Sequence, residues 1–189
     1  MLDLGGVLAD LRDPVDAMGL DMPLDEFWKT WTSSAIVRAF ETGQMSEAEF
    51  LAQIPSELDY SGANPFEQQF HAWQLTLFPG VGELIRGVLP DYRVALLSNT
   101  NAVHWRQVNE GNNVFADFEH VFLSYETGQF KPAVTAFSQV TDYFECPPAD
   151  VVFLDDSESN IAAALDFGMD ARRVVGVAEL EQQLLRVAD

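Results

Sequence analysis

The sequence has 189 residues, 48% of them hydrophobic and 12% aromatic, so it can bury a sizeable core as one domain or as a domain with a modest insertion. Thirty acidic residues against ten basic ones give a formal charge of −20, which disfavours nucleic acid and anionic membranes as partners. No apolar run reaches the roughly 18 residues that a membrane span needs.

Two features bear on the cellular compartment. The first residues do not show the basic and apolar segments of a signal peptide. Cys146 is the single cysteine and cannot form an internal disulfide, which suits a reducing environment. Together these features predict a cytoplasmic protein.

The N-terminal stretch, Met1 to Asp10, places the carboxylate of Asp3 just ahead of Gly5 and Gly6. Glycine allows the backbone to turn sharply and to approach a ligand closely. Taken alone, this stretch fits an ordinary turn as well as a nucleophile or metal ligand at a strand end.

Residues 11–78 show the spacing of amphipathic helices. Apolar side chains recur three or four residues apart in three groups: Phe27 and Trp31; Ile36 and Phe40; Phe66, Phe70, Trp73 and Leu77. Gly43 predicts a helix end, and Ser46 with Glu49 predicts a capping box on the next helix. We therefore predict a helical cap domain over residues 11–78, inserted into a core domain of residues 1–10 and 79–189.

From Pro79 onward, helix and strand patterns alternate. The predicted helices are Gly82 to Leu89, Ala102 to Glu110, Pro132 to Phe144, Ser159 to Phe167 and Glu179 to Val187. The predicted strands are Tyr92 to Leu97, His120 to Leu123, Val151 to Leu154 and Val174 to Val177. Such alternation indicates an α/β fold, a mostly parallel Rossmann-like sheet with helices on both faces.

Polar residues follow the strands of this predicted sheet. They are Asp3, Ser98, Asn99, Lys131, Asp155 and Asp156. Ligands of open α/β sheets bind outside the carboxyl ends of the strands, so we expect these side chains to converge there. Each motif alone also fits helix capping or surface charge.

The converging set fits phosphoryl transfer. Three carboxylates would repel one another unless a cation neutralised them, and Mg²⁺ accepts carboxylate, carbonyl and phosphate oxygens. Ser98 and Lys131 could then hold a phosphate, which leaves Asp3 to attack phosphorus and form an aspartyl-phosphate.

Four motifs in order resemble the haloacid dehalogenase-like hydrolase superfamily. They are Asp-Leu-Gly-Gly-Val (3–7), Leu-Ser-Asn-Thr-Asn (97–101), Lys-Pro (131–132) and Phe-Leu-Asp-Asp-Ser-Glu-Ser-Asn (153–160). The helical insert resembles the cap of that superfamily's first class. The Asp-Leu-Gly start and the segment from Phe40 to Phe50 are similar to the branch of small sugar-phosphate phosphatases.

The resemblance implies a role for each motif residue. Asp3 would be the nucleophile, with Lys131 steadying both the nucleophile and the phosphate that Ser98 and Asn99 bind. The ligands of Mg²⁺ would be Asp3, the carbonyl of Gly5, Asp155 and Asp156, and of the last two Asp156 is the stronger candidate. The substrate would be a small phosphorylated metabolite.

Two departures from the family pattern stand out. Most phosphatases of this superfamily carry an aspartate as general acid and base two residues after the nucleophile, where this chain has Gly5. Only two residues precede Asp3, whereas strands usually run for about 5–6 residues. We therefore expect the natural start to lie upstream.

Two alternatives remain open at this point. A metal-free 2-haloacid dehalogenase would also use the aspartate nucleophile, although it has little use for the Asp155–Asp156 pair. A non-catalytic binding protein that keeps only the fold would explain the absent acid. The sequence does not determine the oligomeric state.

Overall fold

The computed structural model describes residues 1–88 and 90–188. Its strands are β1 Ala9–Asp10, β2 Thr76–Leu77, β3 Ala95–Ser98, β4 His120–Leu123, β5 Val152–Asp155 and β6 Asp170–Arg173. Its α-helices are α1 Pro14–Met18, α2 Leu24–Ser33, α3 Ala35–Glu41, α4 Glu47–Glu57, α5 Phe66–Ala72, α6 Val81–Val88, α7 Ala102–Asn109, α8 Ser124–Thr127, α9 Val134–Phe144, α10 Glu158–Phe167 and α11 Gly176–Ala188. Short 3₁₀ turns cover Val114–Asp117 and Pro148–Asp150.

The first three residues form the centre of a parallel sheet. Strand β3 pairs in parallel with β4, and β5 pairs in parallel with β6. Leu2 bridges both pairs, facing Leu96 of β3 on one side and Leu154 of β5 on the other. The backbone N–H of Asp3 donates to the carbonyl of Leu154 at 2.9 Å. The predicted parallel sheet is thus confirmed, with Asp3 where the central segment ends.

Alternating residues of the strands enter two different apolar clusters. Leu96 and Leu154 pack in the cluster that includes α6 and α11. Leu97 and Phe153 pack in the cluster that includes α9 and α10. Because successive side chains of a strand point to opposite faces, helices cover both faces of the sheet, as the α/β prediction requires.

The helical segment has an apolar cluster of its own. Its buried aromatic members are Phe27, Trp31, Phe40, Phe50, Phe66, Phe70 and Trp73. At the two ends of this segment β1 pairs antiparallel with β2, so the chain leaves the core region and returns to it side by side. The separate cluster supports a cap over residues 11–78, a division that stays a prediction.

The local signals at the turn between α3 and α4 are confirmed. Gly43 follows the end of α3 with φ +70°. The hydroxyl of Ser46 accepts from the backbone N–H of Glu49 at 3.3 Å, and the Glu49 carboxylate accepts from the N–H of Ser46 at 3.0 Å. These two bonds make the capping box that begins α4.

The last predicted strand was wrong. Residues 174–177 contain the start of α11, and the sixth strand is Asp170–Arg173. Three of its four side chains are charged, and Arg172 pairs with Asp170 at 2.6 Å. The apolar run 174–177 was therefore a poor guide to the position of the last strand, because β6 lies at the edge of the sheet and has polar side chains.

Other boundaries differ by a few residues. Helix α5 ends at Ala72, so Trp73 and Leu77 do not continue its face, and Leu77 belongs to β2. The predicted end of α6 at Leu89 lies outside the described residues. Among the described residues, no helix combines the length and the apolar character needed to cross a membrane.

Gly43 provides a test of how the helical segment seats on the core. A Cβ at Gly43 would lie 2.2 Å from the backbone carbonyl oxygen of Tyr125, whereas a Cβ at Gly19 would meet nothing within 4 Å. Both glycines have positive φ. We expect Gly19→Ala to cost about 1–2 kcal/mol of unfolding free energy, and Gly43→Ala about 1–3 kcal/mol more. Urea unfolding measures both, and equal losses would contradict the close backbone contact.

Candidate active site

A cleft of about 720 Å³ lies where the carboxyl ends of the strands meet the helical segment. Of the residues that the sequence singled out, those on its wall are Asp3, Gly5, Ser98, Asn99, Lys131 and Asp156. Asp155 lies behind them, fully buried. A separate apolar cavity of about 390 Å³ lies near Met1 and Val152, at the amino ends of the strands and away from these groups.

Lys131 ties the site together. Its ammonium donates to Asp3 Oδ1 at 2.7 Å, to Asp155 Oδ2 at 2.7 Å and to the carbonyl oxygen of Leu97 at 2.8 Å. Burial opposes the charged form, but the two carboxylates outweigh it and raise the pKa of Lys131. The side chain is thus a fixed positive charge with all three N–H groups engaged.

Asp155 positions Lys131 rather than facing the cleft. Its carboxylate accepts from the backbone N–H of Ser157 at 2.8 Å and from the side-chain amide of Asn160 at 3.0 and 3.1 Å, besides Lys131. With these donors the buried charge is compensated. A direct contact between Asp155 and a metal ion stays a prediction.

Three carboxylates come together beside this lysine. One ligand oxygen each of Asp3, Asp155 and Asp156 lies within 4.8 Å of the others. Burial, with the charges of Asp155 and Asp156 adding to it and Lys131 opposing it, raises the pKa of Asp3 to about 7. Burial and the charge of Asp155 also raise the pKa of Asp156. A nearby cation would relieve this repulsion.

The donor set fits a hard divalent cation. Three carboxylates and one ammonium leave two negative charges when all are ionised, which one divalent ion balances. Oxygen ligands of this kind suit Mg²⁺. Gly5 also lies on the cleft wall, and the ligand role of its carbonyl stays a prediction.

Gly6 makes room for Asp156. Its φ of +71° favours glycine, and a Cβ there would lie 2.4 Å from Asp156 Oδ2. The carbonyl of Gly6 accepts from the N–H of Gly176 at 2.7 Å, and the carbonyl of Asp156 accepts from the guanidinium of Arg173 at 2.9 Å. Residues 173–176, which join β6 to α11, therefore bind both the loop after Asp3 and the loop after β5 and hold the two loops close together.

Asn99 holds the lysine loop in place. Its side-chain amide donates to the carbonyl of Lys131 at 2.9 Å, and its side-chain oxygen accepts from the N–H of Lys131 at 2.9 Å. The side-chain oxygen and one side-chain N–H are therefore used, so a phosphate contact from Asn99 would come from its second amide N–H or from its backbone. Ser98 ends β3 on the cleft wall, and its contact with phosphate stays a prediction.

Glu41 is a cleft residue that sequence reasoning missed. It is the last residue of α3 and only 8% exposed, although it is an acid. Burial raises its pKa to about 7, against the opposing effects of Trp31, Arg38 and Asn101. The available signal was its spacing, because Glu41 follows Val37 by four residues on the apolar face of a helix.

Asn101 and His104 were also missed. The side-chain oxygen of Asn101 accepts from the N–H groups of Val103 and His104 at 3.1 and 3.0 Å, so Asn101 caps α7. Its amide nitrogen lies 3.1 Å from Nδ1 of His104. His104 is buried against Phe70 and Trp73, and it also lines the cleft. The motif that ends in Asn101 could have indicated the N-cap of α7, but the contacts of His104 depend on the tertiary structure.

The buried carboxyl of Glu41 predicts a pH-dependent stability. Its pKa is 4.5 when unperturbed and about 7 in the fold, so between these values the native state keeps a proton that the unfolded chain has lost. This stabilising contribution is complete below pH 4.5 and is lost as the pH rises through 7. We expect Glu41→Gln, relative to the wild type, to gain about 3 kcal/mol of unfolding free energy across this range.

Urea unfolding at a series of pH values measures this difference. The matched control is Glu57→Gln, a surface glutamate at the end of α4, whose curve should run parallel to the wild type. Parallel curves for Glu41→Gln as well would contradict the raised pKa.

Comparisons with known proteins agree with this geometry. The model of the haloacid dehalogenase-like hydrolase family matches residues 2–168. A D-ribitol-5-phosphate phosphatase of Bacteroides thetaiotaomicron is 30% identical over 97% of this chain and 95% of its own length. A crystal structure of a family enzyme from the same organism, in complex with magnesium and inorganic phosphate, has a TM-score of 0.73 at 27% identity and 91% coverage of both chains.

A protein of Porphyromonas gingivalis described as a predicted hydrolase of this family is similar in fold. It superposes with a TM-score of 0.76 at 20% identity, over 99% of this chain and 95% of its own. The match to the family model spans most of the sequence and includes all four motifs around Lys131. This chain therefore belongs to the haloacid dehalogenase-like hydrolases.

Proposed function

We propose that this hydrolase is a Mg²⁺-dependent phosphatase that removes phosphate from a small sugar or polyol phosphate through an aspartyl-phosphate on Asp3. The observation that carries the proposal is the buried contact of Lys131 with Asp3 and Asp155, beside the carboxylate of Asp156. This arrangement supplies a nucleophile, a fixed positive charge and oxygen ligands for a metal in one place.

In this proposal Asp3 attacks phosphorus. Lys131 holds one carboxylate oxygen of Asp3 and so leaves the other, Oδ2, to form the bond. Ser98 and the backbone N–H of Asn99 would orient the phosphate oxygens from the end of β3. The leaving group departs opposite Asp3, and water later hydrolyses the aspartyl-phosphate.

The metal would be held by Asp3, Asp156 and the carbonyl of Gly5, with Asp155 behind them. Bound Mg²⁺ neutralises the charge that develops on the phosphate oxygens. The chain's own residues preorganise these ligands, since Gly6 lets Asp156 approach and Lys131 orients Asp3.

The remaining cleft wall supports a sugar or polyol substrate. The half-buried Trp28 presents aromatic surface, with the buried Trp31 and Trp73 behind it, and Thr32 and Arg38 add polar groups. Aromatic faces suit the C–H surface of a polyol, while hydroxyl and guanidinium groups suit its oxygens. The similarity to a D-ribitol-5-phosphate phosphatase points to the same class of substrate.

Residues 11–78 would close over the site as a cap. The guanidinium of Arg38 lies 3.8 Å from the ring centre of Phe130, the residue before Lys131. This contact joins α3 to the lysine loop at the cleft. We expect neither nucleic acid nor a membrane as a partner, because the formal charge is −20. We also propose a cytoplasmic location, since Cys146 forms no disulfide among the described residues.

Phosphate release from a panel of sugar and polyol phosphates tests the proposal. We expect activity with Mg²⁺ that EDTA abolishes, and a loss of at least about 10³-fold in Asp3→Asn, because the nucleophile is removed. The matched control is Asp166→Asn, an exposed aspartate of α10, which should keep wild-type activity. Activity that EDTA does not affect would contradict the metal-dependent reaction, and hydrolysis of 2-haloacids instead of esters would favour a dehalogenase.

Asp156 gives a separate test of the metal site. We expect Asp156→Asn to weaken Mg²⁺ binding by at least about 10–100-fold, since a charged ligand is replaced by a neutral one. Isothermal titration calorimetry with Mg²⁺ measures this without substrate, again with Asp166→Asn as the control. Unchanged binding in Asp156→Asn would exclude this carboxylate as a ligand.

A further inference from the structure

The leaving group of a sugar phosphate poses a requirement that the residues around Asp3 do not meet. When the P–O bond breaks, an alkoxide forms unless a proton reaches the leaving oxygen. Residue 5 is a glycine, and a Cβ there would lie 2.9 Å from Leu11 Cδ2. The space next to Gly5 is thus occupied by an apolar side chain, and the proton must come from elsewhere on the cleft.

Among the described residues of the cleft wall, few groups can supply that proton. Apart from two arginines, which do not give up a proton, the titratable groups are Asp3, Asp10, Glu41, His104, Lys131 and Asp156. Asp3 and Asp156 serve as nucleophile and metal ligand in the proposed function. The ammonium of Lys131 has all three protons engaged.

Two of the remaining three groups are unsuited. Asp10 lies on the exposed rim, where its carboxylate accepts from the N–H of Arg12 at 2.9 Å. Burial, reinforced by the charge of His71, lowers the pKa of His104 to about 3, so its ring is neutral and its acidic form is scarce near pH 7. Glu41 remains.

Glu41 is placed and protonated as a donor should be. Glu41 is 8% exposed and lies on the cleft wall, and burial raises its pKa to about 7. The neighbouring side chains of Trp31 and Asn101 lower this pKa, but by less than burial raises it. Asn101 is three residues after Ser98 on the loop that follows β3, and Glu41 lines the same cleft as Ser98 and Asn99, so its carboxyl is on the side of the phosphate site.

We propose that Glu41 is the catalytic residue that protonates the leaving-group oxygen, an inference that rests on the proposed function. As Asp3 Oδ2 bonds to phosphorus, the P–O bond to the sugar breaks and its electron pair stays on oxygen. The carboxyl proton of Glu41 moves to that oxygen, which gives an alcohol and a carboxylate. Water then attacks the aspartyl-phosphate and returns a proton to Glu41, while phosphate and free Asp3 are regenerated.

The choice of leaving group tests this role. A sugar or polyol oxygen needs the proton, whereas 4-nitrophenolate leaves without one. With Mg²⁺ present, single-turnover rates of Glu41→Gln should fall about 10²–10⁴-fold on the alkyl phosphate that the wild type cleaves fastest. On 4-nitrophenyl phosphate the first release of nitrophenolate should change by less than about threefold. Glu57→Gln should match the wild type on both esters.

Each other outcome is informative. The donor role would be overturned by equal losses on both esters, because these mark a structural or positioning effect. It would also be overturned by a change confined to KM, or by no loss on either ester. Glu41→Asp, which keeps a carboxyl, should recover part of the alkyl phosphatase rate and guards against a folding defect in Glu41→Gln. If the wild-type protein releases phosphate from neither ester, the proposed function is overturned. If the wild type is active, the rates of Glu41→Gln alone decide the donor role.

Discussion

The site depends on one buried cation, the ammonium of Lys131. It joins the ends of the central segment, β3 and β5 through Asp3, the Leu97 carbonyl and Asp155. Burying a charge is costly unless it is paired and hydrogen-bonded, and removal of one partner typically costs about 3–5 kcal/mol. The contacts that orient the nucleophile therefore also compensate charges that the core could not otherwise hold.

The loops around this cation are arranged so that each one fixes another. Asn99 fixes the backbone of Lys131, Asn160 fixes Asp155, and Gly6 leaves the space that Asp156 occupies. Few of these residues would touch a substrate. Their effect is to hold the reacting groups in place before substrate binds, which is how a site lowers the reorganisation that a charged transition state demands.

Much of this arrangement was accessible from the sequence, and the exceptions have physical causes. Asp3, Lys131 and Asp156 could be predicted because polar residues follow buried apolar strands, and parallel strands bring their carboxyl ends to one edge. The strand Asp170–Arg173 could not, since this edge strand has three charged side chains and no apolar pattern. Asn99 was expected to bind phosphate, a role that stays a prediction, and the structure adds one that the motif did not indicate, since its side chain bonds to Lys131, 32 residues away. Glu41 was missed because a glutamate on a helix is usually exposed, and its four-residue spacing from Val37 was a weak signal beside that expectation.

The nucleophile Asp3 and the proposed proton donor Glu41 belong to separately packed parts of the chain. Asp3 lies in the sheet, whose apolar clusters surround β3 and β5, whereas α3, which carries Glu41, is anchored in the aromatic cluster around Phe50 and Phe70. A displacement of about 1 Å is enough to spoil a reacting geometry. Nucleophile and proton donor would then be aligned only while the aromatic cluster is seated on the sheet. An open molecule could still bind phosphate next to Asp3, but it would lack the means to expel an alcohol.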